Sequence, residues 1–305
     1  MFRLRNYSST ANSHQQPKQV NAHNFVLLVQ RTKSEEVRSL NTNKESDILN
    51  TDTRQMVTKT ILHFQYKPID FFEVPFQYSD PKYTMTLENG VAEIILSEPL
   101  KGVPEKLQME IINRVRSILN GRMLSKHESF ELGSISILNH FADGNMTTSH
   151  TIQGVASIIK LKTYPPDILL KDSTGKVIRD TKAERIAEEQ LFMGLIADSA
   201  DKHPLLNKLI ESYKSAVSDP ADELVHLFEI IDALKRHYDN KEEAIKQLKL
   251  PEHKWDRLHK LSNDEPLKEG RHRGSKKTLR YATDDEISEA RKIAYEMIKA
   301  FVSTL

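Results

Sequence analysis

The chain has 305 residues, of which 38% are hydrophobic and 29% charged, a size and composition that allow one large domain or two ordinary ones. Its net charge of +1 excludes a global field that would draw it onto nucleic acid or anionic lipid, so any such binding must be local. The absence of cysteine excludes disulfides, thiolate zinc sites, iron-sulfur clusters and cysteine nucleophiles, and no apolar run is long enough to span a membrane; we expect a soluble cytoplasmic protein.

The first 24 residues contain no acidic side chain and are rich in Ser, Asn and Gln. This composition is typical of a short organellar presequence and equally of a disordered head. Because Phe2-Arg-Leu-Arg5 offers barely one amphipathic turn, we expect a disordered N-terminal tail over residues 1–24.

Residues 25–180 mostly follow the period of two that indicates β-strands. Apolar and β-branched runs predict strands at 25–29, 58–66, 83–88 and 91–96, with Asn89-Gly90 as a hairpin turn and residues 34–54 as a long polar loop. A helix with one apolar stripe is predicted from Pro104 to Arg122, ended by Gly121. Strands then resume at 129–132, 134–138 and 148–163, and a closing hairpin joins 167–170 to 176–179.

Beyond residue 180 the apolar period changes to 3.6 and predicts six helices. They cover about 182–197, 204–216, 219–238, 240–248, 251–261 and 283–305. The first should bury Ile186, Leu191 and Leu195, the third should start at Asp219-Pro220, and Thr283 with Glu286 predicts a capping box. The fold class is therefore α+β: a mostly antiparallel β domain with one inserted helix over 25–180, then an all-α helical bundle over 181–305.

Motifs with a defined chemistry are absent: there is no Walker loop, dinucleotide fingerprint, nucleophile elbow or His-Glu-x-x-His zinc motif. The best candidate is the polar segment between the last two helices. Six basic residues fall within thirteen positions against one acid, Glu269; they are Lys268, Arg271, Arg273, Lys276, Lys277 and Arg280. Adjacent cations around His272 favour a phosphate, although a solvated basic loop would have the same composition.

The run Asn263-Asp-Glu-Pro-Leu-Lys-Glu-Gly-Arg-His-Arg-Gly274, followed by a capped helix, resembles the C-terminal segment of uncharacterised bacterial HEPN-like helical proteins over about the last 90 residues. Active members of that superfamily are dimeric, metal-independent ribonucleases that pair an Arg with a polar residue and a His a few positions on. Here Arg271 and His272 are adjacent, which departs from that spacing. The pair Arg122 and His127 fits the spacing but is expected by chance in a chain with 12 histidines.

The resemblance implies a metal-independent endoribonuclease, or an RNA- or nucleotide-binding protein of bacterial defence or stress response, needing no cofactor. His272 would be the acid or base, Arg271 would stabilise phosphate charge, and Asn263 or Asp264 would orient the imidazole. The predicted phosphate-binding residues are Arg273, Lys268, Lys276 and Lys277. We also expect a homodimer formed through the C-terminal bundle.

Two other functions remain open. The protein would be a non-catalytic interaction or ligand-sensing module if the bundle only dimerises; the aromatic run Phe71-Phe72-Glu-Val-Pro-Phe76 would then be an exposed contact rather than a cover for the sheet. A helix-turn-helix over residues 241–261 is less favoured, because Glu252 and Asp256 place acidic groups on the helix that would approach DNA.

Overall fold

The computed structural model describes residues 56–150, 167–172, 174–271 and 278–305, with His150 described by its backbone alone. Several predicted features lie outside these ranges: the disordered tail, the strand at 25–29, the loop at 34–54 and most of the strand at 148–163. In the part of the chain that is described, no helix is both long and apolar enough to cross a lipid bilayer.

Six antiparallel strands form the main sheet. They are β1 (Val57–Lys67), β2 (Phe76–Asp80), β3 (Tyr83–Glu88), β4 (Val91–Leu96), β5 (Glu131–Phe141) and β6 (Met146–His150), arranged in the order β2-β3-β4-β1-β5-β6. The predicted hairpin is confirmed, since Asn89 and Gly90 both have positive φ (48° and 79°), as the tight turn between β3 and β4 requires. The two strands predicted at 129–132 and 134–138 are one continuous strand, β5.

One face of the sheet is covered by helix α1 (Glu105–Lys126). Alternate residues of the inner strands point into this interface and are buried, namely Leu62, Phe64, Tyr66, Tyr83, Met85, Leu87, Ala92 and Ile94. The predicted helix end at Gly121 is wrong: α1 continues to Lys126, and His127 ends it in a left-handed conformation with φ of 48°. Gly121 is needed for a different reason, because it faces Met193 so closely that the two backbones nearly touch.

Replacing each of two helical glycines by alanine should therefore change the free energy of unfolding in opposite directions. A Cβ at Gly121 would lie 3.1 Å from Met193 Cγ and 3.2 Å from its Cα, so Gly121→Ala should lower the free energy of unfolding by about 1–3 kcal/mol. A Cβ at Gly194 would meet no atom from another element within 4 Å, so Gly194→Ala should raise the free energy of unfolding by about 0.5–1 kcal/mol through helix propensity. Urea unfolding of both variants tests this, and stabilisation by both would contradict the close packing at Gly121.

The predicted closing hairpin is present as a separate two-stranded sheet, β7 (Leu169–Lys171) and β8 (Val177–Asp180). All six predicted helices follow. They are α2 (Thr181–Ser199), α3 (Pro204–Ser218), α4 (Glu223–His237), α5 (Lys241–Leu248), α6 (Glu252–His259) and α7 (Asp284–Val302). The α+β class is thus confirmed.

Two details of the helical half differ from the prediction. Helix α4 begins at Glu223 rather than at Asp219-Pro220, because Asp219 to Asp222 form a turn ahead of it. Helix α2 buries Phe192, Met193 and Ile196, whereas Leu191 and Leu195, predicted to be buried, are 66% and 39% exposed. The two apolar stripes on α2 overlap in sequence, and contact with α1 selects the one that carries the larger side chains.

The buried core is continuous across residue 180. Arg122 of α1, only 2% exposed, donates through Nε to the Phe71 carbonyl oxygen at 2.7 Å and pairs with Glu189 of α2. Phe71 and Phe76 are buried and Phe72 packs against them, so the aromatic run covers the sheet and is not an exposed contact. The division into two domains at residue 180 stays a prediction.

Candidate functional site

The candidate site is built on an irregular turn at the end of α6. Residues Lys260–Asp264 form one turn of π-helix, in which the Glu265 N–H donates to the Lys260 carbonyl oxygen at 2.9 Å. Buried Ser262 supports this turn, because its hydroxyl donates to the Leu258 carbonyl oxygen at 2.5 Å. Single π-turns widen the backbone spacing and frequently occur at functional sites.

The turn brings a histidine and an acid together. His259 Nδ1 lies 3.3 Å from Asp264 Oδ2, and the other oxygen of Asp264 accepts a hydrogen bond from Asn263 Nδ2 at 3.0 Å. In the tautomer that carries its proton on Nδ1, His259 donates to this carboxylate and leaves Nε2 as an acceptor. Both side chains are partly exposed, at 39% for His259 and 55% for Asp264, so a ligand can reach them.

A guanidinium contacts the same aromatic ring as this histidine. Arg271 is exposed, and its guanidinium carbon sits 4.3 Å from the ring centre of Phe228 on α4. The same ring packs against the imidazole of His259, with centroids 5.5 Å apart. Stacking on an aromatic face fixes the orientation of a guanidinium while its N–H groups remain able to bind an anion. Phe228 thus positions both the cation and the histidine.

The backbone of Arg271 is fixed as well. Its N–H donates to the Ser262 carbonyl oxygen at 3.0 Å, which joins the loop to the π-turn. Gly270 makes this contact possible, because a Cβ there would lie 3.3 Å from the Ser262 carbonyl oxygen and 3.4 Å from that of Leu267. Gly270 therefore lets the loop backbone pack closely against the π-turn, and the hydrogen bond of the next residue fixes the backbone of Arg271.

Backbone hydrogen bonds join the two ends of the basic loop, residues 268–280. Leu267 and Arg280 form a parallel bridge, in which the Lys268 N–H donates to the Arg280 carbonyl oxygen at 2.9 Å and the Arg280 N–H donates to the Pro266 carbonyl oxygen at 3.0 Å. We call these two hydrogen bonds the loop clamp. It fixes the points where residues 268–280 leave and rejoin the bundle.

Acidic side chains neutralise one cation of the loop. Both amino groups of Arg280 contact Glu286 at 2.7 Å, and one of them reaches Glu265 at 3.3 Å. Hydrogen bonds from Arg280 lower the pKa of Glu286 to about 2, and the same pairing raises the pKa of Arg280. Glu286 also completes the capping box with Thr283, which confirms that prediction. Arg280 is therefore a structural cation, whereas Arg271 is exposed and stacked on Phe228.

Of the predicted site residues, the structure places three. Arg271 and Asn263 lie at the π-turn, but the side chain of Asn263 is bonded to Asp264, which in turn contacts His259. Lys268 lies at the clamp with its ammonium 3.7 Å from the ring centre of Tyr281. The remaining predicted residues lie outside the described residues; they are His272, Arg273, Lys276 and Lys277.

Sequence reasoning did not select His259 or Phe228 as site residues. His259 and Asp264 are five residues apart, a spacing that an α-helix does not bring together and a π-turn does. The available signal was the polar Lys-Leu-Ser-Asn-Asp run directly after a helix that contains a histidine. The geometry of the π-turn could not be predicted from the sequence, because the apolar period of 3.6 indicates only a regular α-helix.

The Arg122 and His127 pair has a different role. Arg122 binds Phe71 and Glu189, as described above, whereas His127 Nδ1 is 3.3 Å from the Tyr213 hydroxyl and its Nε2 is 3.4 Å from Glu223 Oε1. Arg122 and His127 therefore bind different partners, and both belong to buried polar networks. Within the described ranges, no three His, Asp or Glu side chains are grouped as metal ligands.

No family model, no curated protein and no solved structure matches the chain.

Proposed function

We propose that the protein binds RNA at the π-turn and cleaves it without a metal ion, with His259 as the general base and Arg271 as the group that stabilises phosphate charge. The observation that carries this proposal is the single aromatic ring of Phe228, which contacts both an exposed guanidinium and an imidazole that is paired with a carboxylate. Phosphodiester transesterification uses a base to activate the 2′-hydroxyl and a cation to stabilise charge on the phosphate, and the contacts with Phe228 hold one candidate for each role.

The chemistry follows from the positions of the groups. His259 Nε2 removes the proton of a ribose 2′-hydroxyl, and the oxygen attacks the adjacent phosphorus. The bond from phosphorus to the 5′-oxygen breaks, which leaves a 2′,3′-cyclic phosphate and a 5′-oxygen that takes up a proton. Arg271 donates hydrogen bonds to the phosphate oxygens while charge increases on them. His272 is the proposed proton donor, and Lys268, Arg273, Lys276 and Lys277 are proposed to bind flanking phosphates.

Asp264 and Asn263 are positioning residues in this proposal. The carboxylate of Asp264 selects the tautomer of His259 that has a free Nε2, and Asn263 holds that carboxylate in place. A homodimer through the helical half, as the HEPN resemblance implies, is part of the same proposal.

The test is cleavage of end-labelled RNA in excess EDTA, with the product ends identified as cyclic phosphate and 5′-hydroxyl. Arg271→Ala should lower the cleavage rate by about 10²-fold, the usual effect of removing one charge-stabilising donor. Arg271→Lys keeps the charge but loses the planar contact with Phe228, so it should restore only part of the rate. Equal cleavage by wild type and Arg271→Ala would refute the assignment.

A second candidate is an interaction module without catalysis. It is favoured by the exposed pair Leu191 and Leu195 on α2, which line a groove beside β2, the outermost strand of the main sheet among the described residues. Apolar side chains next to an open strand edge are typical of protein contacts. A purified protein that neither binds nor cuts RNA would support this candidate over the first.

A further inference from the structure

One exposed aromatic side chain at the loop clamp is not used by the proposed cleavage chemistry. Tyr281 is 69% exposed and is the one Phe, Tyr or Trp among the described residues that is mostly open to solvent. The other described aromatic side chains are buried or half-buried. An exposed aromatic ring has a face that another planar group can stack on.

Tyr281 is held in place on both sides. Arg280 before it is fixed by the loop clamp and by its ion pairs with Glu286 and Glu265. After it, the Ala282 N–H donates to Glu269 Oε2 at 3.1 Å, and Thr283 begins the capping box of α7. The ring therefore stands at a defined place between two hydrogen-bonded residues, unlike the side chain of a fraying terminus.

A cation covers one side of this ring. The ammonium nitrogen of Lys268 lies 3.7 Å from the ring centre of Tyr281, within cation–π distance. With most of its surface exposed, the ring keeps room for a second planar partner. An aromatic face beside a cation is the combination by which proteins bind single-stranded nucleic acid, since the base stacks and the cation attracts the phosphate.

We propose that Tyr281 is the stacking platform for one unpaired base of single-stranded RNA, with Lys268 against the neighbouring phosphate. This inference rests on the proposed function and narrows its substrate. Bases of a duplex are already stacked on their neighbours, and only a single strand or a loop can offer a free base face. The same substrate suits attack by the 2′-hydroxyl, which needs a backbone free to bring that oxygen in line with the leaving group.

The test compares variants of the full chain that carry different rings at position 281. Tyr281→Leu should bind a labelled single-stranded RNA decamer roughly 5- to 100-fold more weakly than wild type, the range measured for the loss of one stacked base. Tyr281→Phe keeps the ring and should bind as wild type does. Ile178→Ala, which shortens an equally exposed apolar side chain on β8, is the matched control and should have no effect.

A direct readout comes from Tyr281→Trp. The natural tryptophan, Trp255, is buried, so a tryptophan at 281 adds an exposed fluorophore that a stacked base should quench, while a duplex of the same sequence should leave it unquenched. If the wild type and Tyr281→Leu bind the RNA decamer with equal affinity, this inference is overturned and the proposed function stays intact. Failure of the wild type to bind any RNA would overturn both.

Discussion

Replacing His259 by Asn is expected to lower the rate of RNA cleavage by about 10²- to 10⁴-fold, the usual contribution of a general base, with little change in RNA affinity. The amide of Asn places its nitrogen near the position of Nδ1, so the bond to Asp264 can persist while Nε2 is lost. This variant therefore removes the atom that transfers the proton and keeps the contact with Asp264.

Single-turnover cleavage in EDTA measures the rate, and fluorescence anisotropy of labelled RNA measures affinity. His253→Asn is the matched control, because His253 is an exposed histidine on the same helix, α6. Asp264→Asn should lower kcat and leave KM almost unchanged, as a positioning residue does. If His259→Asn cleaves within twofold of wild type, His259 is not the base.

Replacing Glu223 by Ala is expected to lower the free energy of unfolding by about 3 kcal/mol, at the lower end of the cost of breaking a buried ion pair. The side chain of Glu223 is 2% exposed and binds Arg291 through both oxygens, at 2.5 and 2.7 Å. This pairing raises the pKa of Arg291, so the guanidinium left behind stays charged and loses its partner. Because about a third of Arg291 is exposed, water recovers part of the loss.

The matched control is Glu229→Ala on the same helix, where the carboxylate is 52% exposed and the expected change is below about 1 kcal/mol. Urea unfolding measures both variants. Equal stability of the two would show that the Glu223 network contributes no more than a surface charge.

Loss of the Glu223 carboxylate should weaken the packing of more than one helix. Its members come from the end of α1 (His127), from α3 (Tyr213), from the first residue of α4 and from α7 (Arg291). Burial raises the pKa of the Tyr213 hydroxyl, so it stays neutral and able to hydrogen-bond to His127. Four elements thus meet in one polar network.

Local signals in the sequence predicted the regular elements well. The bounds of β3 and β4 agree with prediction because the Asn89-Gly90 turn sets their register within a few residues. The capping box of Thr283 and Glu286 places the start of α7 for the same reason: every group involved is within one helical turn.

Features that depend on distant contacts were predicted less well. Which stripe of α2 is buried depends on Gly121, seventy residues before it, where a missing side chain lets Met193 approach α1. At the candidate site, the basic loop was found from its charge, and Arg271 with it. The partnership of His259 with Asp264 depends on a π-turn, for which the sequence carries no periodic signal.

The loop clamp has a consequence for how the chain can be altered. The backbone hydrogen bonds at Pro266, Lys268 and Arg280 close the loop where it meets the helices, so described residues on either side of positions 272–277 fix where the loop leaves and rejoins the bundle. We expect that lengthening the chain between positions 271 and 278 changes the stability of the bundle only by the modest entropic cost of a longer closed loop. The bundle therefore offers a graft position at which a different recognition sequence can be presented without redesigning the helices.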